Sequence, residues 1–245
     1  MPQQSIPGLG EFLHDYPLMA LRPGKDGGRV VRGCFRFAAE ADGHGVIEDK
    51  FDLEIRIPAS FPNVVPFVTE IGQRIPRFGE YHVNRDGTLC LGSPLRLLLK
   101  LSGSPTLLGF AESCLVPYLF AISHKLRNGG ALPFGELDHE APGLIADYMD
   151  LFCLKNSQQV LQAFDALGKK KRTANKLPCP CGCGVRLGRC PLNAKIRRFR
   201  SLAPRSWFRE ERRWMIESLR LAKSRPSGSE RRAQALQRES PSPHL

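Results

Sequence analysis

The chain has no long uninterrupted apolar run. Its longest, Cys114 to Ile122, is nine residues and contains Pro117, against the roughly 20 apolar residues a bilayer-spanning helix needs. No membrane span is expected. The opening residues, MPQQSIPGLGEF, carry no basic segment followed by an apolar core, so no secretory signal is expected either. No internal repeat is visible. Acidic residues are scarce near the end: residues 166–245 hold 21 Lys or Arg against 5 Asp or Glu, a balance of +16, which leaves 15 and 19, a balance of −4, for residues 1–165. The net charge of +12 therefore belongs to the tail, and so does any argument from charge.

What is present supports a folded protein. A chain of 245 residues with 42% apolar content has room for one substantial core plus an appendage. Eight cysteines could suggest a secreted disulfide framework, yet four of them crowd into Cys179 to Cys190 and the rest are scattered through apolar sequence. That distribution fits a reducing cytoplasm with one metal site.

Periodicity gives the element order. Leu9, Phe12, Leu13 and Tyr16 fall at helical spacing, ended or bent by Pro17. Val31, Gly33, Phe35, Phe37 and Ala39 alternate with more polar residues as a strand. Asp42-Gly43-His44-Gly45 is a turn. Phe51, Leu53, Ile55 and Ile57 mark a second strand, and Phe67 to Ile71 a third. Helical spacing returns from Thr106 to Leu126, where Pro117 predicts a kink, and again over Leu144–Phe152 and Val160–Leu167, after a Gly/Pro break from Asn128 to Pro142. The fold class expected is α+β.

Tyr81 to Ser93 read YHVNRDGTLCLGS. A thiol, Cys90, follows a side-chain amide, Asn84, which is an arrangement suited to acyl transfer: sulfur attacks a carbonyl carbon and an amide N–H donates to the oxygen that becomes negative. The bland alternatives stand beside this reading. Cys90 between two leucines also reads as a small buried hydrophobe, Asn84 as the cap of the Arg85-Asp86-Gly87 bend, and His82 as a structural brace. Asp86 could orient an incoming amine. His139 suits either a loop reaching the site or an exposed helix start.

Together with Phe61-Pro62-Asn63-Val64-Val65-Pro66 after the strand, this segment resembles the ubiquitin-conjugating enzyme family, with its His-Pro-Asn tripeptide and downstream Ile-Cys-Leu. Val83 replaces the central proline, the connector to the cysteine is shorter, and the tryptophan that commonly follows the cysteine is missing. Ser104-Pro105 looks like the dipeptide that opens the family's next helix. The resemblance covers about the first half of the chain. It implies a ubiquitin-conjugating-like fold, with Cys90 as the thioester-forming nucleophile, Asn84 as the oxyanion donor and His82 bracing the loop. It also implies three partners: an activating enzyme, a ubiquitin-like or similarly activated protein, and a protein target. Bacterial relatives add the expectation of an antiphage-defence setting.

Pro178-Cys179-Pro180-Cys181-Gly182-Cys183-Gly184 and Cys190 place four thiols in twelve residues. Short C-x-C spacing with glycines suits a tetrahedral zinc, the other readings being disulfides or an iron–sulfur cluster. The segment resembles the SEC-C zinc motif. Cys179, Cys181 and Cys190 match three of that motif's ligands; Pro191 stands at the fourth, and Cys183 is expected to substitute. The zinc so implied is structural.

Arg205 to Lys223 carry two seven-residue columns, Trp207/Trp214/Leu221 and Phe208/Met215/Ala222, expected on one face with arginines around it. Docking on protein is favoured over nucleic acid. The organisation expected is a ubiquitin-conjugating-like catalytic domain over 1–167, a basic linker over 168–177, a four-cysteine zinc knuckle over 178–194, a basic amphipathic helix over 195–223 and a disordered tail over 224–245. The function expected is thioester-based acyl transfer. The alternatives are a catalytically inert conjugating-like adaptor and a nucleic-acid-binding zinc protein.

Overall fold

The computed structural model describes residues 5–24, 28–133 and 140–224. The expectations for His139 and for residues 225–245 lie outside the described residues. Helix α1 (Leu9–Asp15) leads into four antiparallel strands in meander order: β1 (Met19–Pro23), β2 (Arg29–Ala41), β3 (Gly45–Ile57) and β4 (Phe67–Glu70). The long β2–β3 hairpin follows directly from alternation. Val31 pairs with Ile55 and Phe35 with Phe51, so the apolar sets of both strands share one face. Tyr16 at the end of α1 stacks on Phe35 with ring centroids 4.1 Å apart. β1 has no alternation signal: it is five residues long, ends in proline and lies at the sheet edge.

Downstream come α2 (Pro94–Leu101), α3 (Leu107–Phe110), a π-helical turn (Ala111–Leu115) and α4 (Val116–Asn128). Thr106 caps α3, its hydroxyl accepting from the Gly109 N–H. The kink expected at Pro117 takes the form of the π turn just before it, where the missing proline N–H disturbs the ladder. Read as one body, Leu107–Asn128 is 22 residues, long and apolar enough by length and composition to cross a bilayer. It meets that length although no uninterrupted run does, because Glu112 and Ser113 split the run without lowering the average enough. The helix is 67% buried within the protein over its most apolar stretch, as a core helix is.

Two hydrophobic clusters share the chain. The first joins α1, the sheet face and α3–α4. The second joins α5 (Glu140–Phe152), α6 (Ser157–Gly168), α7 (Lys171–Ala174), the cysteine segment, α8 (Leu192–Arg200) and α9 (Arg205–Ser224). It runs across positions 168, 178 and 195, where the sequence suggests divisions. Helix α2 belongs to both: Leu97 and Leu101 enter the first cluster, Leu95 and Leu98 the second. A helix apolar on opposite faces is one buried on both sides.

Residues 195–223 are not one helix but parts of α8 and α9, separated at Pro204. The two columns of α9 also part company. Phe208 and Met215 are fully buried against the second cluster, while Trp214 and Leu221 are exposed. Adjacent positions on a helix point about 100° apart, so the buried stripe centres on the Phe208 column, and of the other column Trp207 alone packs against the cluster, half-buried.

Candidate functional site

The loop carrying the thiol is built as a small pleated extension of the sheet. Thr88 bridges to Thr69 of β4, and the Leu89 N–H donates to the Val68 carbonyl at 2.8 Å. Val83 bridges antiparallel to Leu89. Flanking that bridge, the Asn84 N–H donates to Thr88 O at 2.8 Å and the Cys90 N–H to His82 O at 2.7 Å. The direct cross-strand neighbour of Cys90 is therefore His82, and that of Asn84 is Thr88. Asn84 and Cys90 stand diagonally, a relation that longer side chains can span.

The turn between them is held by side chains. Asn84 Nδ2 donates to Thr88 Oγ1 at 3.0 Å, and that hydroxyl donates in turn to Asp86 Oδ1 at 2.6 Å. The Thr88 hydroxyl and N–H lower the pKa of Asp86. Asp86 thus braces its own loop while also lining the groove that holds Cys90. Helix α4 braces the same loop from behind: Tyr118 Oη donates to Tyr81 O at 2.9 Å, and Lys125 Nζ donates to Glu80 O at 2.9 Å. His82, buried, adopts a left-handed backbone with φ 50° at the end of the turn Gly79–Tyr81.

Cys90, Asn84 and His82 all line one groove of about 470 Å³. Val65 and Pro66, from the proline-rich segment after β3, form part of its lining, with Leu97 of α2. Another part of the lining comes from helices that pack in the second cluster: Leu144 of α5 with Glu211 and Trp214 of α9. Burial pushes the Cys90 thiol above its ordinary value, a shift partly opposed by a backbone hydrogen bond at Gly92. Glu211, hydrogen-bonded to Tyr148 Oη at 2.7 Å, is also raised by burial.

Glu211, Trp214 and Leu144 have no site signal in the sequence. Glu211 sits in the charged run Arg209-Glu210-Glu211-Arg212, which reads as solvated surface, and Trp214 shows only as part of a stripe. The wall is fixed to α2 by ion pairing: Ser93 Oγ donates to Asp147 Oδ2, and Arg96 reaches Asp147 at 2.6 Å and Asp150 at 2.7 Å.

The four cysteines of the predicted knuckle do converge. The sulfurs of Cys179, Cys181, Cys183 and Cys190 all lie within 4.8 Å of one another. Cys179 and Cys181 are 3.2 Å apart, and Cys181 and Cys190 3.6 Å. A tetrahedron with metal–sulfur bonds near 2.3 Å has sulfur–sulfur edges of about 3.8 Å, so the spacing fits a metal ion such as zinc. The backbone turns tightly enough because Gly182 (φ 77°) and Gly184 (φ 79°) occupy left-handed conformations, and Pro178 bridges to Arg186 across the turn. Cys179 and Cys190 are buried in the second cluster beside Leu187, whereas Cys183 is exposed. An ion held there would tie the two ends of this turn together, just ahead of α8.

Comparison of the chain with protein-family models, with curated proteins and with solved structures finds no match in any of the three.

Proposed function

We propose that the chain is a cysteine acyltransferase of ubiquitin-conjugating type, on a divergent version of that fold. The observation that carries this reading is the convergence of Cys90, Asn84 and His82 on one open groove beside an antiparallel meander. The activated partner would arrive as a thioester on its activating enzyme. Cys90, as thiolate, attacks the carbonyl carbon, a new C–S bond forms, and the activating enzyme's thiolate departs. An amine on the target then attacks the Cys90 thioester, and the Cys90 thiolate leaves as the amide forms.

The residues divide the work. Asn84 keeps one amide N–H on Thr88, which fixes the carboxamide, and has a second to offer the oxyanion. His82 holds the strand opposite Cys90 through its carbonyl. Glu211, a carboxyl with raised proton affinity in the same groove, is suited to take the proton lost by the attacking amine. The four cysteines would hold a structural zinc that closes their own turn, away from the chemistry.

A second reading, an inert adaptor of the same fold, is favoured by two observations: the Asn84 amide is already bonded to Thr88, and burial keeps the Cys90 proton in place. Single-turnover discharge of a loaded Cys90 onto free lysine separates the two. Asn84→Ala should leave loading intact and slow discharge on the order of a hundredfold. Discharge at the parental rate would remove Asn84 from the mechanism, and failure of the parent to load would favour the adaptor.

A further inference from the structure

A second concavity, of about 700 Å³, lies away from the thiol, where α6 ends, α7 begins and α9 starts. Its lining contains Lys170, Lys171, Arg200, Arg205 and Arg209, and no carboxylate among the described residues. Two of the guanidinium groups are anchored by the carbonyls at the end of α6. Arg200 donates to Ala166 O at 2.8 Å, Leu167 O at 3.0 Å and Lys169 O at 2.6 Å, and Arg209 donates to Gly168 O at 3.0 Å. These bonds hold the guanidinium groups in place, and the partial negative charge of the α6 C-terminus, about half a unit, offsets only a small part of the five cationic side chains. Asp165, the nearby acid, is engaged by Lys169 and does not line the pocket.

The crowding is unfavourable as it stands. Burial and the charge of Arg205 together lower the proton affinity of Arg200, and Arg200 Nε is buried without an acceptor among the described residues. Helix α9 is 20 residues long and begins at the pocket rim, adding the partial positive charge of its first N–H groups. Among the described residues, Ala203 and Pro204 are the only apolar ones in the lining, so the pocket suits no greasy ligand.

We propose that this pocket binds a ligand bearing two or more adjacent phosphate groups. A single carboxylate leaves most of the charge unbalanced, whereas neighbouring phosphates match several cations at once and suit the planar donors of arginine. A volume of this size accommodates a molecule of nucleotide dimensions. The same chemistry is offered by a free di- or triphosphate and by consecutive phosphates of a nucleic-acid strand. Phosphate binding here is independent of the acyl-transfer reading, since no residue of the thiol groove takes part.

The test is calorimetric titration of the full chain at low salt with inorganic phosphate, pyrophosphate, ATP and a short single-stranded DNA. Pyrophosphate or ATP should bind at least about tenfold more tightly than orthophosphate, and Arg205→Ala or Lys171→Ala should each cost about tenfold. Both side chains are exposed, and thermal melting checks that each variant stays folded. Arg220→Ala, on the same helix but outside the pocket, should change nothing. Pyrophosphate binding without DNA binding assigns a free phosphate ligand. DNA binding whose salt dependence falls by about 0.7 per lost contact assigns a strand. Absence of binding by every probe, or equal losses from Arg220→Ala and Arg205→Ala, overturns the proposal.

Discussion

Truncating Phe208 to alanine should loosen the helix that walls the thiol groove. The ring is fully buried, with its centroid 6.0 Å from that of Phe164 on α6. Phe164 in turn meets Tyr148 at 4.8 Å and Phe152 at 5.8 Å, and Phe152 meets Phe199 at 4.6 Å. This aromatic chain ties α5, α6, α8 and α9 together, and rings packed on several sides collapse poorly into a void. Removing a buried phenyl ring typically costs about 3–5 kcal/mol, a large part of the roughly 5–15 kcal/mol that holds a domain folded. At about 2–4 °C per kcal/mol for a chain of this size, the midpoint should fall by roughly 6–20 °C. Thermal melting by far-UV circular dichroism reads the shift. Labelling by a maleimide, mapped to peptides, should show Cys90 modified faster because Glu211 and Trp214 move with α9. A midpoint lowered by less than about 2 °C would refute the docking of α9 on the second cluster.

Other outcomes follow from the same geometry. Burial raises the Cys90 pKa above the ordinary 9.0, so its alkylation rate should keep climbing with pH past that value; a plateau below it would contradict the burial. The purified chain should carry one zinc per molecule; Cys179→Ser should lose it and lower the melting midpoint, and the exposed Cys183→Ser should weaken retention least, as read by metal analysis after chelation. Glu211 holds its proton to higher pH in the folded state than its ordinary 4.5, so its effect on stability declines as pH rises from 4.5 through the folded value. Glu211→Gln, which can still accept from Tyr148, should therefore gain stability relative to the parent as pH rises through that window; a difference that stays flat with pH would argue against the burial of the carboxyl.

Much of the sheet was legible because β2 and β3 alternate strictly and their hairpin turn carries two glycines. The cysteine cluster was legible too, since its ligand spacing is local. Other features depend on contacts far apart in sequence. Helix α2, PLRLLLKL, is apolar on two faces, and only its position between two clusters explains that pattern. Whether Asn84 faces Cys90 or Thr88 depends on the pairing of a short loop ladder, which one residue of register decides. Glu211 and Trp214 reach the groove through the docking of a helix more than a hundred residues downstream of Cys90, and nothing in the local run of charges announces it.

Whether Cys90 carries an acyl group is the most direct question to put to the protein. The full chain is incubated with ATP, a ubiquitin-like protein and the activating enzyme that loads it, then run on a non-reducing gel. The expected result is a band shift that thiol removes, that Cys90→Ala abolishes, and that Cys90→Ser converts to a thiol-resistant ester. A competent activating enzyme that loads itself but never transfers to this chain, or a shift that survives in Cys90→Ala, would contradict acyl transfer through this thiol.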